Sequence, residues 1–331
     1  MGSPRGEDSV RAEQAAMVAL LQGRPGGLRW AEIAAEVRAA GSAVAVWQWL
    51  MPPSVPGPAQ EAYALDAAAR QIAQWAGHGV RLLSILDQEY PARLRQIPQA
   101  PPILFARGEM IPDDLAVSVI GSRQASGPGL DIAARVAQGL VRRGVAVAAG
   151  LALGIDSAAH RAALAAGGRT VAVVGTGINR AYPAGNRGLQ EEIAQRGLVL
   201  SQFWPEAPAR KHNFLMRNAT MSGYGLATVV VEAGERGGAR HQARVAAGHG
   251  RPVILTDLVA RRCDWARALA GRPGVHVARG LVSVLDLIDQ LIAGSLAPPG
   301  DLHPVASREP RPQPHDRGHF VFAADTNRPR S

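Results

Sequence analysis

Three runs of small residues stand where apolar segments end: Gly121-Ser122-Arg123, Gly150-Leu151-Ala152-Leu153-Gly154 and Gly175-Thr176-Gly177. Glycine lets an anion approach the backbone closely, a hydroxyl adds a donor and a guanidinium adds a charged fork, a combination that suits phosphate oxygens. Gly121, Ser122, Arg123, Gly150, Gly154, Gly175 and Thr176 are therefore candidate anion-binding residues, all expected to face one groove. None of the runs reads G-x-G-x-x-G, and Ala148-Ala149-Gly150 occupies the place of an acidic ribose ligand, so a dinucleotide fingerprint is missing. A phosphate loop of the G-x-x-x-x-G-K-[ST] type is also missing, because the only lysine, Lys211, lies elsewhere.

That lysine falls in a second informative stretch. Phe203, Trp204, Phe214 and Tyr224 are interleaved with Arg210, Lys211, His212 and Arg217. Read as a loop, this mixture offers charge for phosphates and ring faces for bases, as single-stranded nucleic acid requires. An equally good reading packs the aromatics on the sheet edge. Acid/base chemistry has thinner support. Asp156 and His160 are spaced i, i+4 at a helix start and Glu232 ends an apolar run, but a histidine so placed more often packs a helix or braces a loop. His241 and His249 lack a carboxylate at ligand spacing, so no metal site is expected, and the single Cys263 excludes a disulfide framework or thiolate cluster.

The elements that must hold these residues follow from periodicity. Residues 9–50 carry apolar positions at helical spacing, broken at Gly23–Gly27 and closed by Pro52, Pro53, Pro56 and Pro58, and another helix is expected over 60–75. From Val80 short apolar runs alternate with helical segments: strands near 80–86, 103–105, 117–120, 145–149, 170–174, 198–201, 227–232, 252–255 and 275–278. Continuous apolar strands alternating with helices predict an α/β fold with a mostly parallel, doubly wound, Rossmann-like sheet. In such sheets ligands sit beyond the carboxyl ends of the strands, where the glycine runs fall. The expected division is a small helical domain over 1–78, the sheet domain over 79–294 and a disordered Pro-rich tail over 295–331.

The net charge of +9 is not spread evenly over the 331 residues. Between 117 and 257 there are 16 basic and 8 acidic residues, so nearly all of the excess belongs to the sheet segment and points to a polyanionic partner. The preference for Arg over Lys is a codon-bias effect; the scarcity of Asp and Glu is not. With 47% apolar residues and no run of 18 apolar residues free of charge, the chain is expected to be a folded cytoplasmic protein without membrane contact.

Taken in order, the motifs resemble the DNA-processing protein A family (DprA, also called Smf). They are Tyr90-Pro91 with Pro101-Pro102 and Gly108, Gly121-Ser122-Arg123, Gly150 through Asp156 with Ala159-His160, Gly175-Thr176-Gly177, Tyr182-Pro183 with Asn186, Phe214, Arg217-Asn218, Ser222-Gly223 and Val231-Glu232-Ala233. The resemblance implies a homodimeric, extended Rossmann protein that binds single-stranded DNA without chemistry or cofactor and assists a RecA-type recombinase during DNA uptake. The family's DNA contacts carry over to Gly121, Ser122, Arg123, Lys211, Phe214, Arg217 and Asn218. The chain departs from the family pattern at Gln202, Ala219 and Gly237-Gly238-Ala239-Arg240. The competing expectation is a nucleotide-binding or nucleotide-hydrolysing Rossmann protein with Asp156 and Glu232 as acid and base.

Overall fold

The computed structural model describes residues 4–51 and 58–296, so the tail and most of the proline cluster lie outside the described residues. The described residues up to Ser295 belong to one compact unit. Four helices open the chain: α1 (Pro4–Gly23), α2 (Trp30–Ala40), α3 (Ala43–Leu50) and α4 (Pro58–Gly77). Ser42 caps α3 by accepting from the amide of Ala45, and Gly41 ends α2 at φ 68°, where a Cβ would be strained. Glu13 of α1 accepts from Ser42 Oγ at 2.6 Å and from the Ala43 amide at 2.5 Å, tying the two helices together.

The remainder alternates as the periodicity predicts: β1 (Arg81–Ser84), α5 (Ala92–Arg95), β2 (Ile103–Gly108), β3 (Ala116–Gly121), α6 (Gly127–Val141), β4 (Ala146–Ala149), α7 (Ile155–Ala165) and β5 (Thr170–Val173). Then come α8 (Arg187–Arg196), β6 (Leu198–Ser201), α9 (Lys211–Tyr224), β7 (Ala227–Glu232), α10 (Gly238–Gly248) and β8 (Val253–Thr256). The last elements are α11 (Asp257–Arg262), α12 (Asp264–Ala270), β9 (Val275–Ala278) and α13 (Gly280–Leu296). The strands form one sheet in the order β1-β2-β6-β5-β4-β3-β7-β8-β9. Pairing is parallel from β6 through to β9, while β1 and β2 add an antiparallel edge.

The inner strands are buried throughout because helices cover both faces, and alternation sends successive side chains to opposite cores. In β3, Ala116 and Ile120 join one apolar cluster while Val117 and Val119 join the other. The N-terminal helices belong to the first of these cores. An aromatic contact marks the junction: Trp204 meets Trp30 edge-on at 5.1 Å and lies 5.9 Å from both Trp75 and Phe105. Trp204 is therefore a packing residue, one of the two roles the sequence left open.

Strand order decides where a ligand can sit. From β3 the chain steps outward to β4, β5 and β6, then returns to β7 on the other side of β3 and continues to β9. The helices after β3 and β7 thus diverge to opposite faces, and a crevice opens beyond the carboxyl ends of these two strands.

Candidate nucleic-acid interface

A groove of about 780 Å³ occupies that crevice. The loop after β3 supplies Ser122 and Arg123, the loop after β7 supplies Arg236 and Gly237, and α9 contributes Lys211, Phe214, Arg217 and Asn218. The stretch read as a loop is in fact mostly helix, since Lys211–Tyr224 is α9. Burial divides the helix along its length: Lys211, Leu215 and Met216 in the first half are exposed, whereas Arg217 through Tyr224 are buried on every face. Tyr224 donates to Asp114 Oδ2 at 2.7 Å and Phe203 is buried, so Phe214 alone of the four aromatics lines the groove.

At the mouth, the Arg123 guanidinium carbon lies 5.6 Å from the centre of the Phe214 ring, which also meets Tyr182 at 5.3 Å. Tyr182 is 44% exposed and precedes Pro183 through a cis peptide bond. These three planar groups form a platform of the kind on which bases stack.

Beneath the platform the glycines serve packing. A Cβ at Gly150 would fall 2.1 Å from Arg217 Nη1, and one at Gly175 would fall 2.5 Å from the Phe214 ring. Gly121 makes way for Ile155 and the Glu232 carbonyl, and Gly154, at φ 78°, for the Ser122 carbonyl. Four expected anion ligands therefore stand elsewhere. Gly150, Gly154, Gly175 and Thr176 do not border the groove; Thr176 is buried and its hydroxyl donates to the Arg180 carbonyl at 2.7 Å.

Arg217 is 6% exposed and its Nη1 donates to the carbonyls of Gly150 at 2.8 Å and Val173 at 2.5 Å, bracing the ends of β4 and β5. Burial lowers its pKa, and the charge of Asp156 raises it. Asp156 accepts from the amides of Gly150 at 2.9 Å and Ala152 at 3.4 Å, holding the second glycine run in shape. Burial pushes its carboxyl above the ordinary range, and Arg217 pulls it back. Asn218 donates to His241 Nδ1 at 3.2 Å.

The other acid/base candidates are equally committed. Glu232 Oε2 accepts from the amide and hydroxyl of Ser126 at 3.0 and 2.8 Å, completing the cap of α6. Thr170 Oγ1 donates to the Val147 carbonyl at 2.7 Å and lies 2.7 Å from His160 Nδ1, so that nitrogen carries the proton and donates to Thr170. Burial then pushes the His160 pKa down to about 3, and the ring stays neutral in the core.

Apart from the buried Arg217 and Asp156, which influence each other, charge in the groove is one-sided. Arg123, Lys211, Arg236 and Arg240 line it, and among the described residues none of them has a carboxylate within 4.0 Å. The N-termini of α9 and α10 also border it, and both lack a side-chain cap, leaving backbone amides free for anions. Among the described residues no cluster of His, Cys, Asp and Glu could hold a metal, and no helix is long and apolar enough to cross a membrane.

Residues 81–267 match the sequence profile of the family described as DNA recombination-mediator protein A. The chain belongs to this family. Among DNA recombination-mediator A proteins it is 41% identical to DNA processing protein DprA of Streptococcus pneumoniae over 175 residues, 52% of this chain and 61% of that protein. It is 39% identical to the putative DprA of Mycobacterium tuberculosis over 203 residues, 57% of this chain and 52% of the relative. The chain thus spans about half to under two thirds of the length of the curated relatives it matches. The X-ray structure of the S. pneumoniae protein superposes with a TM-score of 0.58 at 29% identity, covering 86% of this chain and 98% of that one. A structure of the Helicobacter pylori protein, described in terms of its single-stranded DNA binding mode, superposes at 0.56 and 22% identity, over 64% and 96% of the two chains, which speaks for the fold alone.

Against this family background, the sequence reading missed several residues that line the groove: Tyr182, Arg236, Gly237, Arg240 and Gln242. Gly237 and Arg240 stood out only as departures from the family pattern. A signal existed in the paired glycines with flanking arginines at a helix start, but its relevance depends on β7 lying beside β3, which no local pattern reveals.

Proposed function

We propose that this chain binds single-stranded DNA in the β3–β7 groove, without regard to sequence and without chemistry on the strand. The observation that carries this reading is the Arg123–Phe214–Tyr182 platform at the mouth of a groove whose four cations have no acidic partner among the described residues. Phosphates would run past Arg123, Lys211, Arg236 and Arg240 and the amides at the α9 and α10 N-termini, while bases stack on Phe214 and Tyr182. Ser122, Gly121 and Asn218 shape the wall, and Gly150, Gly154, Arg217, Gly175 and Thr176 hold the structure behind it. The H. pylori protein of the same fold is described in terms of its single-stranded DNA binding mode, and the proposal gives this chain the same class of ligand. Family membership supports two further steps, homodimerisation and delivery of the strand to a RecA-type recombinase during DNA uptake, in the cytoplasm.

The test is fluorescence anisotropy with a labelled oligonucleotide across a salt series. Log affinity should fall linearly with log salt, at about −0.7 per phosphate neutralised. Arg123→Ala and Lys211→Ala should each weaken binding to all sequences alike and flatten the slope by roughly that amount. Wild-type affinity and slope in both variants would place the strand elsewhere.

A further inference from the structure

Among the described residues, Gln242 is the one buried groove residue whose side-chain polar atoms both lack a partner. It stands on α10 one turn in from the N-terminus, is 1% exposed and lines the groove. Neither its Nε2 nor its Oε1 has a hydrogen-bond partner. Its buried neighbours on the helix, Ala243 and Ala246, are apolar, so the rest of this face follows the ordinary rule for a core and Gln242 does not. A buried amide with both ends unpaired is costly, and such a group persists where a ligand completes it.

The chemistry of the amide narrows the ligand. A carboxamide presents a donor beside an acceptor, and its complement must present an acceptor beside a donor. Phosphate oxygens only accept, so a backbone phosphate would satisfy Nε2 and leave Oε1 facing negative charge. A nucleobase meets both demands through adenine N6–H and N1, thymine N3–H and O4, guanine N1–H and O6, or cytosine N4–H and N3. Because all four bases carry such an edge, an amide that turns over to suit each is compatible with binding any sequence. Cations at Arg236 and Arg240 and the open α10 N-terminus beside it would hold the flanking phosphates.

We propose that Gln242 pairs with the edge of one base of the bound strand, turned into the groove past the Phe214–Tyr182 platform. This deepens the strand-binding reading and rests on it. Stacking and edge pairing are separated by comparing an oligothymidylate with its difluorotoluene counterpart, which keeps the shape and ring face of thymine but cannot hydrogen-bond. Wild-type protein should bind the thymine strand about tenfold more tightly, the magnitude of one or two hydrogen bonds. Gln242→Met, close in shape and apolar, should bind both strands alike, at the affinity of wild type for the difluorotoluene strand. The melting temperature of free Gln242→Met should equal or exceed that of wild type, because no bonded partner is lost.

Three results would overturn the proposal: a thymine preference that persists in Gln242→Met, no preference in wild type, or a melting temperature lowered by several degrees, which would mean that the amide is bonded within the fold. Failure of wild type to bind either strand would instead remove the strand-binding reading itself. A free thymidine nucleotide that protects the groove while oligonucleotides do not would likewise refute edge pairing to a strand.

Discussion

Arg217 was expected to contact DNA, and its surroundings in the fold assign it a different task that a single substitution can isolate. In Arg217→Met the aliphatic stem is kept and the guanidinium lost, along with its two bonds to the carbonyls of Gly150 and Val173. Charge-assisted bonds contribute about 1.5–3 kcal/mol each, and relief of the guanidinium's own desolvation offsets part of that, leaving a net loss of about 2–4 kcal/mol at pH 7. The loss should depend on pH. Asp156 is already held above the usual carboxyl range by burial, and Arg217 is the largest influence opposing that shift. Without it the folded-state pKa rises further, so the folded protein takes up a proton that the unfolded chain, with a pKa of about 3.9, does not. Stability in the variant should therefore recover as pH falls from 7 toward 5. Urea unfolding followed through the Trp30, Trp75 and Trp204 cluster measures this directly. Adding Asp156→Asn should restore at least about 1 kcal/mol of the deficit, a coupling that a double-mutant cycle reads out. A deficit below about 1 kcal/mol at both pH values, with no coupling to Asp156, would refute the brace and return Arg217 to the list of direct ligands.

Phe214→Ala should weaken oligonucleotide binding by about 1–3 kcal/mol, the worth of a stacked base, while leaving the salt slope unchanged, as anisotropy titrations would show. Gly175→Ala places a methyl 2.5 Å from the Phe214 ring and should cost about 1–3 kcal/mol of stability by overpacking, together with a loss of affinity as the platform tilts. His160 has a folded pKa of about 3, well below the unfolded value of about 6.5, so its contribution is complete above pH 6.5 and is lost as pH falls toward 3. The expected slope is about 1.4 kcal/mol per pH unit between those limits, and chemical unfolding of His160→Leu should be shallower by one proton over the same range.

Much of the architecture was legible because it is written locally. The apolar runs at 117–120 and 227–232 are strands in the structure, and the helical segments expected between the strands include α6 and α7. The concentration of charge between 117 and 257 also survives as a groove lined by unopposed cations. The segment 203–224 was harder to read. Its aromatics resemble a stacking loop in composition, yet Trp204 and Tyr224 turn inward because neighbours distant in sequence, Trp30 and Asp114, are there to receive them.

The sequence by itself determined most element types, though not the helix at Lys211–Tyr224, together with the parallel α/β class, the position of the small-residue turns and the polyanion-seeking charge, since periodicity, glycine and charge act over a few residues. Tertiary structure alone decided what each of those residues faces. Gly150 and Gly175 had to be small in either reading, but only packing shows that an arginine head and a phenylalanine ring fill the space. The groove opens in the crevice between β3 and β7 and not across the ends of β3, β4 and β5 for the same reason. The chain reverses its direction of winding there, and strand order is a relation between segments more than 100 residues apart, as the pairing of Val117 with Ala227 shows.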